Sequence, residues 1–232
     1  MMLDLTLTIL QTLNQWDTQV FLAVNGWHHP FFDSFMEMYS DRFVWLPFYL
    51  SIAYAVYRQF HWKAMVVFLV LALLLLTIND QLCSSVFRSA FARMRPSNPD
   101  NPLSAVVHIV DGYRGGRYGF PSAHAANSWG LAMFISLSFR RRLLMLTMVG
   151  WATVMCYSRM YLGVHYFGDV LCGALLGTLT ASLVYYVFQH ISRPMADLFR
   201  QSAEPSPWLF VPVVACGLEL VVMLLVSMFV VL

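Results

Sequence analysis

The chain has 232 residues, of which 59% are apolar and only 11% charged. Soluble domains carry about 45–50% apolar and about 25% charged residues, so an ordinary water-exposed globule is excluded. The apolar share, about 137 side chains, supplies roughly six bilayer crossings of about 20 residues each, while a net charge of +2 without a polybasic or acidic run gives no footing for nucleic acid.

Residues 1–30 stand apart as an N-terminal segment. Asp4, Gln11, Asn14, Gln15 and Asp17 are too frequent for a span, yet Ile9, Leu13, Trp16 and Val20 recur at helical spacing. That pattern predicts an amphipathic helix lying in the membrane interface, with a packed helical cap as the alternative. No basic residue precedes Arg42, so no signal peptide is expected there.

Residues 31–232 read as a single all-α transmembrane domain without internal repeats. Charge-poor windows place spans at about 31–57, 62–90, 121–139, 142–158, 163–190 and 207–231. The first rests on 15 residues, Phe43 to Tyr57, and borrows the polar stretch before it. The connection 91–120, rich in Gly, Pro, Asn and Arg, is long enough to be read as functional. Cys83, Cys156, Cys172 and Cys216 fall in apolar stretches without metal-ligand spacing and are read as reduced core residues.

Lys and Arg set the orientation. Arg58, Lys63, Arg140, Arg141, Arg142, Arg193 and Arg200 lie on one side; Arg42, Arg88, Arg93, Arg95, Arg114, Arg117 and Arg159 lie on the other, a tie of seven each. If Arg88, Arg95 and Arg159 are set aside as catalytic, the Arg140–Arg142 turn is cytoplasmic and the 91–120 loop faces outward.

Three segments gather ionisable residues at that outward face: Arg88 with Arg95-Pro96; Pro121-Ser122-Ala123-His124; and Ser158-Arg159 with His165 and Asp169. Polar groups at membrane depth are costly unless paired, and so point to function. His165 and Asp169, four apart, are expected on one helix face, where the carboxylate fixes the imidazole tautomer. Pro121 is expected at the first helical position, so that free amides and the Ser122 hydroxyl form an anion site beside His124. Arg88 and Arg95 are expected about two turns apart, with Arg95 marking the exit into the loop because Pro96 follows it. Three arginines converging with two histidines call for an anion, and guanidinium forks match the equatorial oxygens of a transferring phosphoryl group. No D-x-D pair, phosphate-binding glycine loop, cysteine-phosphatase spacing or H-E-x-x-H occurs, so no metal or other cofactor is called for.

Together these segments resemble the signature of the type 2 phosphatidic acid phosphatase superfamily, K-x6-R-P, P-S-G-H and S-R-x5-H-x3-D, over about residues 80–170. The resemblance implies an integral membrane bundle of about six helices with an acid phosphatase/vanadium haloperoxidase-like core. It implies His165 as nucleophile, Asp169 as its orienter and His124 as the acid. Arg88, Arg95, Ser122, Ala123 and Arg159 would hold phosphate. Arg88 stands where the family has Lys, and Ala123 where it has Gly, a change that is costly only if that position needs positive φ.

The expected reaction is metal-independent hydrolysis of a lipid phosphate or diphosphate, through a phosphohistidine, at the outer face of the cytoplasmic membrane. Undecaprenyl diphosphate is favoured, with lipid A and phosphatidylglycerol phosphate as alternatives; a vanadate-dependent haloperoxidase and a lipid transporter are more distant readings. The expected partners are the lipid substrate and the surrounding membrane, with no obligate protein partner. Arg114 and Arg117, in the glycine-rich 112–119 stretch, are candidates for head-group contact. Asp80 and Glu219 lie within spans, where a hydrogen bond between helices is preferred to a role in proton transfer.

Overall fold

The computed structural model describes residues 2–191 and 206–231; Arg193 and Arg200 of the orientation count lie outside them. The described residues are all-helical apart from connections: α1 (Met2–Asn25), α2 (Pro30–Ser40), α3 (Leu46–Gln81), α4 (Arg88–Phe91), α5 (Ala123–Phe139), α6 (Arg142–Tyr161), α7 (Phe167–Ile191) and α8 (Val211–Val231). A π-helical turn, Leu82–Phe87, joins α3 to α4, and a 3-10 turn, Pro207–Phe210, leads into α8.

Among the described residues, four helical stretches are long and apolar enough to cross a membrane: Leu46–Phe91, Arg142–Tyr161, Phe167–His190 and Pro207–Val230. The first is two arms that meet at His61, whose φ of 66° interrupts the helix. Phe48 N–H reaches Glu219 at 2.7 Å and Tyr54 packs on Trp208, so the first arm runs antiparallel to α8. Phe68 packs on Phe139 while Asn79 donates to the Ala126 carbonyl at 3.0 Å, so the second arm runs antiparallel to α5. The two arms with α5, α6, α7 and α8 make about six crossing segments, and the protein is a membrane protein.

The expected continuous span over 31–57 is corrected. Its polar first half is the separate helix α2, ended at Asp41, whose carboxylate accepts the Phe43 N–H at 2.8 Å. An Asp that bonds the amide two residues on favours a turn over helix. The helix restarts at Leu46, with Pro47 in its first turn and the buried Trp45 indole donating to the Tyr39 carbonyl at 2.8 Å.

Helices α5 and α7 approach each other closely. A Cβ on Gly173 would stand 2.4 Å from the Ser122 carbonyl oxygen, and one on Gly177 only 2.0 Å from that of Ala126. Only small residues let helix backbones come this close. The outcome bears on function: the start of α5 is pressed against the start of α7, where Ser122 N–H donates to the Asp169 carbonyl at 2.9 Å.

Several intramembrane polar groups pair between helices. Asn127 donates to Asp80 at 2.9 Å, Thr180 donates to Asn79 at 2.6 Å, and Glu219 accepts the otherwise unpaired amide in the first turn of α3. All four cysteines are free thiols, and Cys83, Cys156 and Cys216 are buried. In α1 the leading apolar residues Leu5, Ile9, Leu13 and Trp16 are exposed, whereas Phe21 is fully buried against Tyr166. The N-terminal helix is therefore docked on the bundle by its C-terminal half.

Candidate active site

His165 sits in the short connection between α6 and α7, and Asp169 in the first turn of α7. The expectation of two residues on one helix face is corrected, because α7 begins at Phe167, after His165. The pair still meets. Asp169 Oδ2 accepts the Tyr166 N–H at 3.1 Å, drawing the connection back over the helix start and bringing His165 Nδ1 to 3.4 Å from Oδ2. Both side chains are essentially inaccessible, at 1% and 0%.

The other imidazole nitrogen fixes the tautomer. His165 Nε2 lies 2.8 Å from a terminal nitrogen of Arg95. A guanidinium has only donors, so Nε2 is the acceptor and the ring proton of the neutral imidazole is assigned to Nδ1, facing Asp169. Burial, with the positive charges of Arg95, Arg159 and Arg88, holds the His165 pKa well below its ordinary value. The nitrogen that faces Arg95 is thus unprotonated at neutral pH, its lone pair accepting from the guanidinium.

Arg95 is held by the Tyr118 carbonyl at 3.2 Å and the Val164 carbonyl at 3.0 Å. Burial, with the charges of Arg159 and Arg88, pushes its pKa down to about 10. Arg159 is 4% exposed and donates to the Ser40 hydroxyl. The Nε atoms of Arg88 and Arg159 are buried and find no hydrogen-bond acceptor among the described residues. Three guanidiniums that repel one another, two with unsatisfied buried donors, form a cradle for an anion. The two-turn helical spacing expected for Arg88 and Arg95 is corrected: α4 stops at Phe91, where Ala92 takes a left-handed φ of 45°. Arg95 is placed instead by the extended pairing of 93–95 with 117–119, through Arg95 N–H to the Arg117 carbonyl at 3.1 Å and Gly119 N–H to the Arg93 carbonyl at 2.9 Å.

Ser122, rather than the residue before Pro121, is the N-cap of α5. Its hydroxyl accepts the Ala125 N–H at 3.4 Å, so Pro121 precedes the cap and does not occupy the first helical position. Ala123 opens the helix with ordinary dihedrals, and its replacement of Gly costs no backbone strain. His124 follows in the first turn, within electrostatic reach of Arg159, His165 and Arg95.

Of the loop arginines, Arg114 donates to the Ser97 carbonyl at 2.7 Å, and Arg117 makes an exposed pair with Asp100 at 3.7 Å. Both brace the 97–117 loop. Tyr113, from the same loop, lies within electrostatic reach of Arg159. Two residues that the motifs did not single out line the dyad. Gly119 lies where a Cβ would be 3.2 Å from Asp169 Oδ2 and 3.3 Å from His165 Nδ1. Arg93, which by sequence is only a loop charge, binds Asp169 Oδ1 at 2.8 Å. Their signal was contiguity: Arg93 falls inside the Arg88–Arg95 motif, and Gly119 falls two residues before Pro121.

A buried imidazole beside a carboxylate, Arg95 at its second nitrogen, the charges of Arg88 and Arg159 close by and a second histidine in α5 lie together at one end of a helical membrane bundle, an arrangement suited to a phosphoryl group. The PAP2 superfamily pattern matches residues 67–193. The chain is 42% identical over 199 residues to the lipid A 4'-phosphatase of Bacteroides thetaiotaomicron, covering 86% of each chain. It is 34% identical to the lipid A 4'-phosphatase of Porphyromonas gingivalis, over 74% of this chain and 72% of that one. The fold resembles the transmembrane PAP2-type phosphatidylglycerolphosphate phosphatase of Bacillus subtilis (TM-score 0.60, 23% identity, 78% of this chain and 89% of that one). It also resembles LpxE of Aquifex aeolicus (TM-score 0.51, 19% identity, 73% and 94%). The chain belongs to the PAP2 superfamily and is a lipid phosphomonoester hydrolase.

Proposed function

We propose that this protein removes the 4'-phosphate of lipid A at the outer face of the cytoplasmic membrane. The observation that carries the substrate is the 42% identity to a lipid A 4'-phosphatase over 86% of both chains. It favours lipid A over undecaprenyl diphosphate, the substrate preferred from the sequence. The outward orientation rests on the Arg140–Arg142 turn lying at the end of α5 opposite to Ser122.

In this reading the phosphate is gripped by Arg88, Arg95 and Arg159, with Ser122 and the Ala123 amide at the start of α5 completing the cradle. Its oxygens take over the donors that Arg95 now directs at His165, leaving Nε2 free to attack phosphorus in line. As the N–P bond forms and the P–O bond to the sugar breaks, His124, which takes up a proton when the negative phosphate enters the cradle, passes that proton to the departing oxygen. Asp169 balances the positive charge that grows on the His165 ring. Water, deprotonated by His124, then attacks the phosphohistidine, releasing inorganic phosphate and restoring the imidazole.

The test is purified protein in detergent with lipid A, undecaprenyl diphosphate and phosphatidylglycerol phosphate in parallel, with chelator present. Released phosphate is measured, and the lipid product is analysed by mass spectrometry. Loss of one phosphate from the 4' position, with the other two lipids turned over far more slowly, is expected. Preferential hydrolysis of undecaprenyl diphosphate would overturn the substrate assignment.

A further inference from the structure

Asp169 is fully buried, and its two oxygens face different partners. Oδ2 is directed at the Tyr166 amide and His165 Nδ1, whereas Oδ1 is held by Arg93 at 2.8 Å. Among the described residues Arg93 is the one cation paired with this carboxylate, because Arg95 is bound to His165 and to two carbonyls. Arg93 is itself clamped. Its other terminal nitrogen binds Asp17 at 2.5 Å and Asn14 at 3.2 Å, both on α1, and its guanidinium lies over the Tyr166 ring at 4.0 Å. Asp17 also accepts the Gly168 N–H at 2.7 Å, so the same carboxylate ties α1 to the start of α7. Burial disfavours the charge on Arg93, but the Asp169 and Asp17 carboxylates outweigh it and hold the Arg93 pKa above its ordinary value.

We propose that Arg93, anchored by Asp17 of the N-terminal helix, is a positioning residue that locks the Asp169 carboxylate against the nucleophile His165. One terminal nitrogen of a guanidinium anchored through the other to Asp17 restrains Oδ1, so Oδ2 stays aimed at Nδ1 and the proton stays on the nitrogen away from phosphorus. Helix α1 is thereby part of the catalytic unit, not only a membrane contact. This role for Arg93 rests on the reading of His165 and Asp169 as nucleophile and orienter.

The experiment uses the full-length protein in detergent with lipid A. It compares Arg93→Gln, Arg93→Lys, Asp17→Asn, Asp169→Asn and the Arg93→Gln/Asp169→Asn double variant, with kcat, KM and thermal midpoint for each. Arg93→Gln should lower kcat by about 10- to 100-fold, the usual cost of loosening a catalytic group by a fraction of an ångström. KM should stay within about two-fold of wild type, because the phosphate-binding arginines are untouched. Arg93→Lys should recover part of the loss, and Asp17→Asn should show a smaller loss of the same kind. In the Asp169→Asn background Arg93→Gln should add less than about two-fold, because its effect passes through the carboxylate. Arg93→Gln with wild-type kcat, or with a loss that multiplies fully onto Asp169→Asn, overturns the inference. If Arg93→Gln does not fold, Arg93→Lys and Asp17→Asn decide by the same criteria. Asp169→Asn with wild-type kcat would instead overturn the underlying mechanism.

Discussion

Replacing Gly119 by Ala is the smallest perturbation that reaches the dyad. Its φ is not positive, so Ala brings no backbone penalty, and the whole effect is steric. The added Cβ would stand 3.0 Å from Arg95 Cγ, 3.2 Å from Asp169 Oδ2 and 3.3 Å from His165 Nδ1. Apolar contacts settle at about 3.5–4.0 Å, so these neighbours must together yield by roughly half an ångström. None yields freely. Arg95 is fastened at three points, Asp169 is held by Arg93 and Tyr166, and His165 lies between Arg95 and Asp169. Catalytic groups tolerate about 0.5 Å of displacement, and a 1 Å error costs about 100-fold. The expected loss in kcat is therefore about 10- to 100-fold, or about 1.4–2.7 kcal/mol of barrier. Overpacking should cost about 1–3 kcal/mol of stability, leaving the protein folded. Phosphate release from lipid A and a thermal melt on the same preparation read both quantities. A kcat within two-fold of wild type in a folded protein would refute the packing of Gly119 on the dyad.

Gly177→Ala sets a Cβ at 2.0 Å from a backbone carbonyl, which no side-chain adjustment relieves. It should cost at or above the top of the usual overpacking range of about 1–3 kcal/mol, seen as loss of the monodisperse peak in detergent chromatography; a normal yield and melt would contradict the α5–α7 packing. Glu219→Ala strands the buried Phe48 amide and should destabilise by about 1–3 kcal/mol. Glu219→Gln keeps an acceptor there and should melt near wild type, with kcat unaltered in both. Because the folded-state pKa of His165 is depressed, the imidazole stays neutral below its ordinary value of 6.5. The rising limb of kcat/KM for lipid A should then lie on the acid side of that value, and folding stability should fall only as pH drops below it, where the unfolded chain gains a proton that the folded chain does not. A rising limb centred at or above 6.5 would contradict this.

The membrane class, the bundle of about six segments and the convergence of three motifs at one end were legible in the sequence, because charge is so scarce that its placement stands out. What escaped depended on short-range geometry or on distant pairing. Asp41 looked like one polar residue at the edge of a span, but its side-chain bond to the Phe43 amide divides α2 from α3. Pro121 looked like a helix opener, yet the Ser122 hydroxyl is better placed to cap, so the helix starts beyond it. The His165–Asp169 spacing suggested a helical turn, whereas the contact is made by a carboxylate that folds the preceding connection over its own helix. Arg93 meets Asp17 and Asp169 across 76 residues in each direction, a separation that periodicity does not span.

The central claim, that His165 attacks the phosphate of a lipid, is tested most directly by rapid acid-free quenching of the enzyme during turnover of lipid A, followed by peptide mass spectrometry. A phosphoryl group on His165, acid-labile and alkali-stable, that is absent from His165→Ala together with all turnover, is the predicted result. Undiminished phosphate release by His165→Ala, or label trapped on another residue, would contradict it.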